Sequence, residues 1–164
     1  MAPWADVLYF CDGYWWTGVD GPEVREKFEG KYIITIAHGI KDPIVKILKN
    51  TSKHELATNP SELGHGTNSG FQAINLAYHF GATRIVLLGF DMKIAAKATH
   101  HHGGYGAPRE IVSHVLKTSM LPHFAKLAGP LQAAGVTVLN ANPDSAIDCW
   151  PRLPIEFILD GRGL

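Results

Sequence analysis

Gly64-His65-Gly66-Thr67-Asn68-Ser69-Gly70 opens a stretch that continues through Phe71-Gln-Ala-Ile-Asn-Leu-Ala-Tyr-His-Phe80 and Gly81-Ala-Thr to Arg84-Ile-Val-Leu-Leu-Gly-Phe-Asp91. A small-residue loop, a helical pattern and a buried strand follow one another without a gap. Ala73, Leu76, Ala77 and Phe80 fall at i, i+3, i+4 and i+7, Ile74 widens that face, and Gln72, Asn75 and His79 form a polar stripe. Asn68 or Ser69 can cap the helix, because their side-chain oxygens accept the orphan N–H groups of a first turn. Gly81 is placed to end it in the left-handed conformation. Ile85–Leu88 is a continuous apolar run, which suits a parallel strand covered on both faces. A helix feeding such a strand is half of a βαβ crossover.

The remaining chain supplies the same alternation. Strands are expected over Asp6–Phe10, Lys31–Ala37 and Val136–Leu139, with a weak one at Ile44–Leu48 in an otherwise loop-like 38–67. Gly13–Gly18 reads as an aromatic, turn-rich segment and Pro22–Phe28 as a short helix. Pro108 suits a first helical turn, Pro122 is expected to start a second helical piece, and Pro130 to kink or shorten it. Gly135 stops that helix. The pattern predicts an α/β protein, a Rossmann-like three-layer sandwich with a mainly parallel sheet, formed by one domain over residues 1–164.

In such sheets ligands collect beyond the carboxyl ends of the strands. Here those ends carry Asp12, His38, Asp91 and the segment Asn140–Ser145, all polar. Thr67, Asn68, Ser69 and Gly70 form the candidate anion site, since free N–H groups and the helix dipole favour phosphate at a helix N-terminus. The P-loop lysine and the dinucleotide glycine pattern are both missing, so neither of those motifs is present. A capped helix that binds nothing would show the same local pattern.

Composition narrows the partners. The 164 residues carry 15 basic and 15 acidic side chains and are 46% hydrophobic, which permits a substantial core and recommends no nucleic-acid surface. No run of about 18 apolar residues is present, and the N-terminus lacks the basic and apolar regions of a signal peptide, so no membrane span and a cytoplasmic location are expected. Cys11 and Cys149 have no zinc-knuckle spacing, and Cys149 reads as a buried, inert thiol. His100, His101 and His102 are consecutive and cannot readily converge on one ion, so no metal site is expected. No cofactor is required, and Mg²⁺ bridging Asp91 and a bound phosphate is expected only with a nucleotide. Trp4, Tyr9, Tyr14, Trp15 and Trp16 crowd the first sixteen residues, where packing is the simpler reading and base or sugar stacking the functional one.

Thr67–Asp91 resembles the central motif of the bacterial sialyltransferases of glycosyltransferase family 42. It is also similar to the related domain of 6-hydroxymethylpterin diphosphokinase-like proteins and to uncharacterised phage proteins. Asn142-Pro143-Asp144-Ser145 resembles the family's Pro-Asn-Ser segment after a late strand. The resemblance implies a nucleotide-binding domain, with CMP bound in the sialyltransferases and ATP in the pterin kinases. It places Asn68 and Ser69 by the phosphate or ribose, Asp91 beneath the acceptor, and Asn142, Pro143 and Ser145 along the nucleotide pocket. Relatives begin with a strand and a Gly-x-Gly-Pro-Ser-Leu loop, and this chain is expected to lack both. The family's catalytic base lies in a His-x-x-Gly-x-His pattern. Here His100 and Gly103 match, Tyr105 stands at the base position, and His102 is the nearby substitute. A tyrosine of pKa about 10 is a poor base at neutral pH.

Two functions are therefore expected in competition. One is transfer of a group from a nucleotide-activated donor such as a CMP-sugar, with His100, His102, Tyr105 and Asp91 as the catalytic candidates. The other is a non-catalytic, phage-associated nucleotide-binding or assembly protein. For a phage-encoded chain the location is the host cytoplasm. Exposed aromatics near the N-terminus would favour a homo-oligomer.

Overall fold

The structure is a computed structural model that describes residues 2–18, 20–94 and 108–161. It is a mixed α/β fold whose strand pairs are all parallel among the described residues. Strand β1 (Val7–Phe10) leads through α1 (Gly13–Thr17) and α2 (Asp20–Lys27) to β2 (Tyr32–Thr35) and β3 (Val45–Ile47), which complete a sheet of order β1-β2-β3. Strands β4 (Lys49–Asn50) and β5 (Glu62–Leu63) pair separately. Helix α3 (Ser69–His79) is followed by β6 (Arg84–Leu87), then α4 (Arg109–Val115), α5 (Leu121–Ala133), β7 (Thr137–Asn140) and α6 (Ile155–Leu159). Among the described residues β6 pairs only with β7, in register from Arg84 opposite Thr137 to Leu87 opposite Asn140. Among the described residues the single sheet expected from the sequence is thus three short ones.

Alternation explains how the first sheet is covered. On β2, Ile33 packs with Phe10, Trp16 and Val45, whereas Ile34 packs with Leu48, Leu63 and Leu76 of α3. Successive strand side chains point to opposite faces, so one face meets α1 and the other α3. The Gly13–Gly18 segment, expected as a turn, is helical because Asp12 accepts the Tyr14 N–H and caps it. That turn of helix lays Trp16 flat on Phe10, with ring centroids 4.9 Å apart. Trp4 and Tyr14 remain exposed.

The largest core lies between α3, α5 and the β6–β7 pair, where Phe71, Phe124, Leu127 and Leu131 are fully buried. Helix α4 does not stop before α5. A π-helical turn over Leu116–Met120 joins them, in place of the separate piece expected to begin at Pro122. Pro122 has no N–H to give the Thr118 carbonyl and its ring crowds that position, so a widened turn lets the helix continue. Pro130 does not shorten α5, which runs three residues further, because one lost bond in a last turn is easily absorbed.

Candidate functional site

Asn68 is the N-cap of α3, extended at φ −154° and ψ 154°, and its Oδ1 accepts the Phe71 N–H at 2.8 Å. Its own amide donates to Gly66 O, which fixes the cap's orientation. Among the described residues, no hydrogen bond reaches the Ser69 or Gly70 N–H, and Ser69 is exposed. Two first-turn donors at the positive end of an 11-residue helix are therefore open to an anion.

The loops beyond β6 and β7 meet this turn. A Cβ on Gly70 would fall 2.7 Å from the Phe90 ring, so glycine lets the turn sit against Phe90. Next to Phe90, Asp91 Oδ1 accepts the Asn142 amide, and Asp91 O accepts the Ala146 N–H at 2.8 Å. Ser145 is buried, its hydroxyl donating to Phe90 O and accepting the Ile147 N–H. It ties the loops together rather than facing outward. Pro143 is exposed beside it. Asn140, fully buried at the end of β7, accepts the Asn142 N–H but leaves its Nδ2 without a partner among the described residues. Asp91 and Asn142 are thus paired next to Phe90, whose ring meets the first turn of α3 at Gly70.

Other expected residues lie apart. Asp12, by capping α1, sits in an open depression of about 630 Å³ shared with His38 at the ends of β1 and β2, lined by neither Ser69 nor Asp91. Thr67 faces α5, its hydroxyl donating to Ser119 O and standing 3.2 Å from His123 Nδ1. His100, His102 and Tyr105 lie outside the described residues. Cys149 is partly buried, and desolvation pushes its thiol up to about 11.

Periodicity concealed the histidines around Thr67. His54, His65 and His123 come from two loops and a helix, and they meet at the turn of Gly66 and Thr67. Among the described residues no group of three or more His, Cys, Asp or Glu side chains is arranged to hold a metal ion. No helix there is long and apolar enough to cross a membrane.

Comparison of the chain with protein-family models, with curated proteins and with solved structures found no significant match.

Proposed function

We propose that this chain binds a nucleotide or nucleotide-sugar at the carboxyl ends of its parallel strands, on a Rossmann-like three-layer framework. The ligand's phosphate lies at the first turn of α3. The observation that carries this reading is the pair of open donors, Ser69 and Gly70, held beside the Asp91–Asn142 pair. The N–H groups and the Ser69 hydroxyl take phosphate oxygens, and Asp91 orients a ribose hydroxyl or, with the nucleotide bound, a Mg²⁺ ion. Transfer of the group carried by such a nucleotide is the accompanying chemistry, with acid or base supplied from the 100–105 segment.

Thermal unfolding against CMP, CMP-sialic acid, ATP, GTP and UDP-sugars, with and without Mg²⁺, tests it. A ligand at about 100 times its dissociation constant stabilises by about 2.7 kcal/mol, a rise on the order of 5–10 °C for a chain of this size. A rise selective for one nucleotide and lost in Ser69→Ala and Asn142→Ala supports the site. No rise with any of them removes it.

The rival reading, an assembly protein, is favoured by a different observation. A groove of about 550 Å³, lined by Val7, Tyr9, Tyr32, Leu76 and Phe80, borders β1, whose second edge has no strand partner among the described residues. Unpaired edges of this kind template pairing between chains, so self-association that is lost in Val7→Lys, without any nucleotide response, would favour assembly.

A further inference from the structure

The entry to α3 is a bend of two consecutive left-handed residues, Gly66 at φ +53° and Thr67 at φ +60°. A β-branched residue in that region is strained, and such strain persists only where its surroundings hold it. Three imidazoles do the holding. His65 Nδ1 accepts the Thr67 N–H at 3.2 Å. His123 Nδ1 lies 3.2 Å from both Gly66 O and Thr67 Oγ1. His54 lies flat on His123, with ring centroids 4.0 Å apart and planes inclined by 13°, and meets His65 edge-on at 5.6 Å.

The groups that act electrostatically on His54 all disfavour its charged form. Lys126 of α5 acts on His54 together with His123 and His65. In the same loop Glu55, the nearest carboxylate in sequence, pairs with Lys53 at 3.4 Å. His54 Nδ1 is shielded from solvent and has no hydrogen-bond partner among the described residues.

We propose that His54, His65 and His123 form a proton-operated clasp, which when neutral holds the 53–67 segment against α3 and α5 and when protonated releases it. Two steps follow from the geometry. A proton on His65 Nδ1 turns an acceptor into a donor facing the Thr67 N–H, and that bond is lost. Charge on both His54 and His123 sets two imidazolium rings face to face with no anion between them. Desolvation, then the neighbouring His123, His65 and Lys126, lowers the pKa of His54. The closed segment therefore binds fewer protons than the open one. Closure is complete above the free imidazole value of about 6.5 and weakens as pH falls below it.

The clasp lies directly upstream of Asn68, so on the nucleotide reading its release also disorders the phosphate turn. Its own test uses no ligand, which keeps the two failures apart. Amide protection factors, corrected for intrinsic exchange, are measured by NMR at pH 7.5 and 5.5. The Ala57, Gly64 and Thr67 amides, bonded to Asn75 and His65, should lose protection at the lower pH, by up to about tenfold for the one titrating group His54. The Thr137 and Ala141 amides, bonded across the β6–β7 pair, should not change. In the double variant His54→Phe, His65→Asn, the stack and the Nδ1-position acceptor remain but neither group titrates, and protection should be the same at both pH values. Equal protection in the wild type, or an equal loss in the double variant, overturns the clasp. Ring titration of the wild-type histidines gives a readout free of any variant: a His54 midpoint at or above 6.5 also overturns it.

Discussion

Asn75 and Ala57 exchange two hydrogen bonds: the Ala57 N–H donates to Asn75 Oδ1, and Asn75 Nδ2 donates to Ala57 O, each at 2.9 Å. The same Oδ1 also accepts the Gly64 N–H at 3.0 Å. A fully buried side chain on α3 thus completes the backbone bonding of a loop that has little secondary structure of its own. Asn75→Leu leaves two N–H groups and a carbonyl buried without partners. At about 1–3 kcal/mol for an unsatisfied buried group, the expected loss is about 3 kcal/mol or more by urea denaturation. Asn75→Asp, which retains the acceptor, should show less loss above the carboxylate range than Asn75→Leu.

Gly66 tolerates no side chain. A Cβ there would lie 2.0 Å from the Phe71 ring, which is itself fully buried, and φ is already left-handed. Gly66→Ala should cost about 3 kcal/mol or more, combining overpacking with left-handed strain. Chemical denaturation checks this, and a cost under about 1 kcal/mol would show that Phe71 moves aside.

Ser52 is the opposite case. It is left-handed at φ +59°, exposed, and its hydroxyl makes none of the described hydrogen bonds. Glycine relieves about 1–2 kcal/mol of backbone strain and returns part of it through a more flexible unfolded chain. Ser52→Gly should raise stability by about 0.5–1 kcal/mol, read as a small rise in the denaturation midpoint.

Cys149 should resist alkylation. With its thiol held up to about 11 by desolvation, the thiolate at pH 8 is on the order of 0.1%, against about a quarter for a free cysteine. Iodoacetamide labelling followed by mass spectrometry should be on the order of a hundredfold slower in native than in denatured protein, and should accelerate about tenfold per pH unit up to the thiol's pKa. The unfolded chain ionises first, above about 8.5. Stability contributed by the neutral thiol is therefore present below that value and lost as pH rises towards 11.

The elements built on one strong period were legible. Residues 69–79, 84–87 and 137–140 follow the helical and apolar runs read from sequence, and the α3 cap falls on Asn68, one of the two residues expected to supply it. The polar stripe Gln72, Asn75 and His79 was legible as a stripe but not as an interior surface. Gln72 is 2% exposed and Asn75 0%, because both bond backbone and side-chain groups of neighbouring segments. Periodicity separates polar from apolar faces but cannot say whether a polar face meets water or another backbone. For the same reason β4, β5 and the histidine cluster are invisible locally. Each depends on contacts made over long sequence separations. Asp91 and Asn142, 51 residues apart, were expected at strand ends, yet their pairing depends on β6 and β7 lying side by side.

Two tryptophans report on different parts of this fold. Trp16, 1% exposed, stacks on Phe10 with the Arg25 guanidinium 4.9 Å from its ring centre. Trp150 packs edge-on against Phe124 in the core of the β6–β7 side. Among the described residues no strand ladder joins the β1-β2-β3 sheet to the β6–β7 pair, and α3 places Phe71 and Ile74 in the core of the β6–β7 side and Leu76 against β2. The chain therefore carries an intrinsic optical label in each half. Whether their emission changes coincide or separate during denaturation reads directly how firmly one helix couples two parallel sheets.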